Sequence, residues 1–265
     1  MPKKDKIYFA SDLHLGVPDH ASSLEREKHF VRWLDMIKED CLELFLVGDL
    51  FDFWFEYKTV VPKGYVRLLG KLAELHDNGI TIHYFTGNHD LWQRNYFPEE
   101  IGAKVYYDPI RRDILGRDFF IGHGDGLGPG DHGYKFMKKV FRNRVMQWMF
   151  HRFHPNFGIG LANYFSRMSR KKTGDKDAID YGEKEFLTIF CRDTLKKEPE
   201  IDYFVFGHRH LPKELELEPG KFYINLGDWM GHFTYLRVSE DAVELLRYPR
   251  SGDPVPAFAG AETDR

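Results

Sequence analysis

Apolar residues fall along this chain in short dense runs separated by longer stretches of helical periodicity. Lys6 to Ala10, Leu42 to Val47 and Ile80 to Phe85 are rich in aliphatic, aromatic and β-branched side chains, the composition of strands buried on both faces. Between them, HFVRWLDMIKED and the stretch Lys63 to His76 repeat apolar residues at three- and four-residue spacing and predict amphipathic helices. Ser22 followed by Glu25 has the pattern of a helix-start box for the first helix, and Asn78-Gly79 marks the turn after the second. Beyond a short segment at Pro98 to Gly102, strand-like runs follow near Lys104 to Tyr107, Asp118 to Ile121 and Tyr203 to Phe206, then successive short strands up to Pro249. The last residues, 251–265, hold Gly, Pro, Ala and charge with little apolar content and predict a frayed terminus. Strands alternating with helices predict an α/β fold.

Five of these strands stop at the same kind of residue. The runs lead into SDLHLG (11–16), GDLFD (48–52), GNHD (87–90), GHGD (122–125) and GHRH (207–210). Any one of them alone reads as a polar loop, because Asn, Asp and His are ordinary turn residues. Five in succession at strand ends read differently, since strand ends in an α/β sheet face a common edge where ligand sites form. Asp12, His14, Asp49, Asn88, His123, His208 and His210 then make seven oxygen and imidazole donors, a set suited to manganese, iron or zinc. Seven donors suffice for two ions if one carboxylate is shared, and Asp49 is the residue expected to bridge. A pair of metals about 3.5–4 Å apart is a device for in-line displacement at phosphorus.

Composition narrows the setting. The chain has 265 residues, 42% hydrophobic and 30% charged, enough for one substantial domain or a domain with an insertion. Its first apolar stretch is too short for a secretory signal, and no uncharged run approaches the roughly 20 residues of a membrane span. Cys41 and Cys191 sit in apolar segments and predict buried reduced thiols rather than a disulfide or a zinc site. A cytoplasmic location is expected.

The five blocks SDLH, GDLFD, GNHD, GHGD and GHRH resemble the calcineurin-like metallophosphoesterase superfamily, over roughly Lys6 to Pro249. The resemblance implies a four-layer αββα sandwich of two mixed sheets, as in metallo-dependent phosphatases. It implies one ion held by Asp12, His14, Asp49 and His210 and another by Asp49, Asn88, His123 and His208, with Asp90 orienting His89 as the catalytic pair. Within the superfamily, GDLFDFW, the segment HGDGLGPGDHGYKFMKKVFRN, the run SRMSRKK and NLGDWMGHFTYLRV are similar to the UDP-2,3-diacylglucosamine diphosphatases of lipid A assembly. That likeness implies Mn2+ as the working metal, attack on the α-phosphate of the UDP moiety, and release of UMP with a lipid 1-phosphate. It further implies a domain over residues 1–250 interrupted by a helical lid at about 128–175, with Asn88, His89, Asp131, Tyr134 and Arg170 near the substrate. Many such enzymes carry arginine where this chain has His89. A protonated histidine can donate a proton to an alkoxide leaving group and arginine cannot, so His89 leaves room for phosphodiester substrates.

The lid segment also has a charge signature. Residues 132–174 hold ten Lys or Arg and no Asp or Glu, whereas the rest of the chain has 28 basic against 41 acidic residues. Phe136, Phe141, Trp148, Phe150, Phe153 and Phe157 are interleaved with that charge. Such a segment fits a nucleotide-lipid substrate and an anionic membrane surface at the inner face of the cytoplasmic membrane. A solvated basic face over a local aromatic core is the plainer reading of the same residues. Two other functions stay open: a nuclease or nucleotide phosphodiesterase that grips a backbone with the basic lid, and a metal-binding scaffold without catalysis. No nucleic-acid partner is expected, since nothing in the chain forms a further nucleic-acid domain.

Overall fold

A computed structural model describes residues 3–130, 132–162, 164 and 179–250, with the side chains of residues 132–134 outside that description. Eleven strands form two sheets. The first contains β1 (Lys6–Ala10), β2 (Cys41–Val47), β3 (Thr81–Phe85), β4 (Lys104–Tyr106), β10 (Thr234–Val238) and β11 (Val243–Arg247), in the order β11-β10-β1-β2-β3-β4. The second contains β5 (Ile110–Ile114), β6 (Arg117–Ile121), β7 (Tyr203–Phe206), β8 (Lys213–Glu218) and β9 (Lys221–Asn225), in the order β5-β6-β7-β9-β8. Strands β1, β2, β3 and β4 run parallel, as do β6, β7 and β9, so the carboxyl ends of five motif-bearing strands can meet.

The continuous apolar runs have their physical reason in the layering. Successive side chains of a strand point to opposite faces. Tyr8, Ala10, Leu44, Leu46, Ile82 and Tyr84 pack outward with Phe30, Trp33, Leu34, Leu68, Leu72 and Leu75 of α1 (His20–Ile37) and α2 (Val66–Asp77). Their neighbours Ile7, Phe9, Phe45, Val47 and Phe85 face the other sheet, meeting Phe119, Ile121, Val205 and Ile224. On the far side, Phe204, Phe206 and Tyr223 pack with Leu187, Cys191 and Leu195 of α5 (Phe186–Leu195). Helix, sheet, sheet and helix thus make four layers, and Cys41 and Cys191 are buried free thiols.

Two elements differ from the sequence expectation. Helix α1 begins three residues before the Ser22 box, because Asp19 caps it and accepts from Ser22 N at 2.9 Å. Strand β5 was not expected: Arg111, Arg112 and Asp113 fill its middle, and its hairpin to β6 turns on Leu115-Gly116, both with positive φ. Strand β10 returns to pair antiparallel with β1, and the last strand, β11, pairs with β10, so the sheet that begins with β1 also holds the last described strands.

In the lid segment lie α3 (His132–Arg142), α4 (Arg144–Phe150) and a helical run over 155–162. Asn143 caps α4 by accepting from Val145 N and Met146 N. The segment is fastened to the sandwich at three points. Lys138 Nζ lies 2.6 Å from Asp125 Oδ2, Arg142 pairs with Asp108 at 2.7 Å, and Trp92 Nε1 donates to Phe141 O at 2.8 Å. Asp131 and Arg170 lie outside the described residues; Tyr134 belongs to α3, with its side chain likewise outside. No described helix is long and apolar enough to cross a membrane.

Helix α2 lacks a side-chain cap of its own, since the residue before it is Tyr65 in the left-handed region. Buried Glu27 of α1 takes over, accepting from Arg67 N at 2.8 Å and Leu68 N at 3.1 Å. Glu27→Ala leaves those two amides without their carboxylate partner, and is expected to lower stability by about 1–3 kcal/mol. Urea unfolding of the variant beside the parent measures this; coincident midpoints would refute the cross-helix cap.

Candidate metal centre

Past the strand ends the loops continue to hydrogen-bond to one another, which holds the polar motifs in register. Asp12 N donates to Gly48 O at 3.1 Å, His14 N to Asp49 O at 2.9 Å, Gly207 N to His123 O at 3.0 Å and Trp229 N to Asp12 O at 3.1 Å. The bends are sharp. Asp12, His14, Asp49, His208 and His210 have φ between 45° and 69°, and are five of the eight described non-glycine residues with positive φ. Asp and His tolerate this region better than most residues, yet each such position still costs about 1–3 kcal/mol unless its surroundings hold it. Two motif glycines allow the close approach. A Cβ on Gly87 would stand 2.1 Å from Asp49 Oδ1, and one on Gly207 would stand 2.0 Å from Ser11 Oγ.

All seven candidate donors converge. Around one point, His14 Nε2 lies 3.0 Å from His210 Nε2, and His210 Nε2 lies 3.1 Å from Asp12 Oδ1. Around a second, Asn88 Oδ1 lies 2.8 Å from His208 Nδ1 and 3.2 Å from His123 Nε2. Asp49 stands between them, with Oδ2 at 3.7 Å from His14 Nε2 and 3.3 Å from His123 Nε2, while Oδ1 accepts from His89 N at 2.9 Å. His123 Nδ1 is spent on Val47 O at 2.9 Å, which aims Nε2 inward.

The donors suit cations. Asp12 is fully buried; its Oδ2 accepts from His208 N and Ser11 Oγ, while Oδ1 has no hydrogen-bond donor. A buried carboxylate oxygen without a donor, beside two imidazole nitrogens that face each other, is the arrangement of a ligand set rather than of a hydrogen-bond network. Burial pushes His14 down to about 3, and burial together with the neighbouring His123 pushes His208 down to about 4, so both present neutral nitrogens at neutral pH. Burial works against the charge of Asp12, but His14 and His210 beside it hold the carboxyl well below its usual range. His123 differs: burial opposes its charge, yet the Asp49 carboxylate raises it to about 10, so cation binding there would release a proton.

The acidic residue of GNHD sits elsewhere than expected. Asp90 is buried beneath the turn, where Oδ1 accepts from Gly87 N at 2.8 Å and Oδ2 accepts from Leu50 N at 3.0 Å and from the Tyr84 hydroxyl. It clamps the GDLFD and GNHD loops together. The side chain facing His89 is Asp52, whose Oδ1 is 3.3 Å from His89 Nδ1, and the His89 ring meets His14 edge-on at 4.8 Å. Asp52 is the last residue of GDLFD, to which the sequence reading assigned no role. Its signal was the second acid of the G-D-x-x-D spacing.

Two different regions border this centre. On one side Phe53 follows Asp52, and Phe55, Trp92 and Phe150 of α4 stack into an aromatic cluster, with Phe55 and Trp92 each 4.7 Å from the Phe150 ring. On the other side, His123 forms part of the wall of a cavity of about 210 Å³ beneath α3.

A fold of two mixed sheets between helices, with Asp, Asn and His converging at the carboxyl ends of its strands, defines a metal-dependent phosphoesterase. The chain belongs to the calcineurin-like phosphoesterase family, whose profile matches residues 5–212, and is therefore a hydrolase of a class that works with divalent metal ions. It is 37% identical over 246 residues to the UDP-2,3-diacylglucosamine hydrolase of Porphyromonas gingivalis, covering 88% of this chain and 93% of that one. It is 26% identical to the UDP-2,3-diacylglucosamine hydrolase of Yersinia enterocolitica, covering 91% of this chain and 98% of the other. Among solved structures it is similar to the phosphoesterase Yfce of E. coli, with 14% identity, a TM-score of 0.44, and coverage of 91% and 92% of the two chains.

If Asp49 serves both clusters, Asp49→Ala should lower divalent-metal content by more than one ion per chain and abolish turnover. Mass-spectrometric metal analysis of the purified variant checks this. A variant that loses a single ion and keeps full activity would show that Asp49 is not shared.

Proposed function

We propose that this protein hydrolyses the diphosphate of UDP-2,3-diacylglucosamine at the α-phosphate, giving UMP and 2,3-diacylglucosamine 1-phosphate, with Mn2+ as the working metal. The observation that carries this reading is the juxtaposition of a buried carboxylate–imidazole centre and an aromatic cluster of Phe55, Trp92 and Phe150 at α4. An amphiphile needs both. The name of the P. gingivalis relative supports the same substrate.

In this reading Asp12, His14, Asp49 and His210 hold one ion, and Asp49, Asn88, His123 and His208 the other. The ions, when bound, supply Lewis acidity that neutralises phosphoryl oxygens and acidifies water. The chain's own residues orient the substrate and receive the developing charge. A water oxygen adds to the α-phosphorus and the bond from that phosphorus to the bridging oxygen breaks, so the lipid leaves as a phosphate. A departing phosphate needs little protonation. His89, held by Asp52 and partly open to solvent, then serves as a hydrogen-bond donor to the transferring group, with Asp90 positioning the loop that carries it. Asn88 stands next to it at the substrate. Asp131, Tyr134 and Arg170 are assigned to the head group by the likeness to those hydrolases alone.

The outer surface of the lid supports contact with an anionic membrane at its cytoplasmic side. Phe136, Val145, Trp148 and Phe157 are 57–69% exposed, and Lys139, Arg144 and Arg152 lie exposed among them. Arg152 also lies over the Trp148 ring at 4.6 Å. Each basic residue near an anionic surface contributes about 1 kcal/mol.

Manganese-dependent release of UMP from UDP-2,3-diacylglucosamine, with little turnover of duplex DNA, is the expected result. Preference for DNA or a simple phosphodiester would transfer the chain to the alternative reading that His89 allows. His89→Ala should lower kcat about 10²–10³-fold on the lipid diphosphate, whereas His89→Arg should keep much of it, because a charge rather than a proton is required. Arginine failing as badly as alanine would count against the electrostatic role. For the membrane, replacing Lys139, Arg144 and Arg152 with glutamine should weaken co-sedimentation with vesicles containing phosphatidylglycerol by about 10²-fold, three residues at about 1 kcal/mol each. Unchanged partition would make these helices structural alone.

A further inference from the structure

Arg209 separates His208 from His210 in the GHRH turn, so it stands between a donor of one cluster and a donor of the other. The turn is tight. Arg209 N donates to Gly207 O at 2.8 Å across His208, whose φ is 69°, a γ-turn of the rare and strained hand. The upstream limb is fastened by the backbone and its neighbours: Gly207 N donates to His123 O at 3.0 Å, His208 N to Asp12 Oδ2 at 2.9 Å, and Asn225 Nδ2 to Gly207 O at 2.6 Å. On the downstream limb His210 again has a positive φ, of 54°. Left-handed residues persist where their surroundings over-determine them, and the side chain between these two is where the turn can be held.

Arg209 is buried and reaches into the segment that leads to α5. Its Nε donates to Glu185 Oε1 at 3.2 Å, its Nη2 donates to Ile179 O at 2.9 Å, and the guanidinium lies 5.5 Å from the centre of the Tyr181 ring. Glu185 is buried as well. It stands at the N-terminus of the ten-residue α5, where a carboxylate is favoured, and accepts also from the Tyr223 hydroxyl at 3.3 Å. Next to it, the Phe186 ring meets His208 edge-on at 6.1 Å. Lys213, three residues past His210, adds a second tie to the same segment, with Nζ at 2.8 Å from Asp180 Oδ1 and 3.6 Å from Glu185 Oε2. A buried guanidinium–carboxylate pair is weak evidence of net stability, because desolvation offsets its attraction, so its use is to be sought in the geometry it fixes. The planar fork of an arginine can hold a carboxylate and a carbonyl at once, which the point charge of a lysine does less well.

We infer that Arg209 is a positioning residue of the metal centre: clamped by Glu185 and the Ile179 carbonyl, it holds the strained turn that aims His208 into one cluster and His210 into the other. Residues 179–185 then serve the centre without supplying a ligand to it. The inference rests on the ligand assignment proposed above and not on the identity of the substrate.

Cobalt(II) titration of the full metal-free chain tests it, because the visible absorption of bound cobalt reports coordination geometry as well as affinity. Arg209→Gln should raise the cobalt Kd about 10–100-fold, the usual effect of removing a group that orients ligands, and should alter the spectrum. Arg209→Lys keeps a charge opposite Glu185 and should recover part of the affinity. Combining Arg209→Gln with Glu185→Gln should cost no more than Arg209→Gln alone, because both act through one contact. Glu27→Ala, expected to lower stability through a helix cap, should keep the parent's cobalt affinity and spectrum, which separates positioning from a general loss of stability. Parent affinity and spectrum in Arg209→Gln would overturn the inference, as would additive losses in the double variant or an equal loss in Glu27→Ala. Should melting curves show that Arg209→Gln does not fold, Glu185→Gln decides in its place: weakened cobalt binding supports the clamp, and parent behaviour overturns it. A parent chain that binds no cobalt would overturn the ligand assignment and this inference with it.

Discussion

The constraint on which this structure depends is a buried carboxylate that must not be left alone. Asp49 is 1% exposed, and removing a carboxylate from water without compensation costs several kcal/mol. Compensation comes from both sheets: His14 and the amide of His89 belong to the first, and His123 to the second. The charge therefore couples the two layers at the edge where the strands end, in addition to the apolar packing of Phe9, Phe45, Phe119 and Val205 between them. Burial pulls its pKa upward, yet the surrounding imidazoles, His123 foremost, keep it far below the ordinary carboxylate range.

Because the donors come from loops, the loops have to be as rigid as strands. The backbone bonds from Asp12 to Gly48 and from His14 to Asp49 extend the β1–β2 ladder beyond its strands, and Asp90 ties the next two loops together from below. This explains why left-handed conformations cluster at Asp12, His14, Asp49, His208 and His210. Each is unfavourable alone and is fixed by neighbours that are equally fixed. Gly87 and Gly207 belong to the same device, since any side chain there would occupy the space of Asp49 or of Ser11 and Asp12.

Most of the convergence was legible in the sequence because Asp, Asn or His stands at each of these strand ends, and the parallel strands turn sequence order into proximity. Strands such as β2 and β7 were legible because both of their faces are buried and both are apolar. What was hidden depends on three-dimensional context. Strand β5 carries Arg111 and Arg112, paired with Asp118, Glu200 and Glu43, and Asp113, which accepts from Gly116 N, and its turn uses Leu115 where Asn or Asp would have signalled a hairpin. Asp90 adjoins His89 in sequence, but the turn sends its carboxylate down to Tyr84 and leaves the His89 ring facing Asp52. The role of Glu27 was equally invisible, since nothing in a helix-interior glutamate announces that it caps a helix some 40 residues away.

The lid shows how structure divides a charge that sequence can only count. Ten basic residues lie between 132 and 174, and a uniform basic face would follow if all were solvated. Lys138 and Arg142 instead turn toward the sandwich, the first to buried Asp125 and the second to Asp108 and the Tyr107 carbonyl. Lys139 and Arg144, their neighbours in sequence, face solvent. Placement on α3 and α4 thus separates cations that fasten this segment to the sandwich from cations left in solvent. Salt should act unequally on the two sets, because an exposed charge is screened within about 10 Å at 0.1 M ionic strength whereas a pair ending on a 4%-exposed carboxylate is screened far less. Rising ionic strength would then screen the exposed Lys139 and Arg144 before it loosened Lys138 from the GHGD loop, and the contact of α3 with that loop would persist.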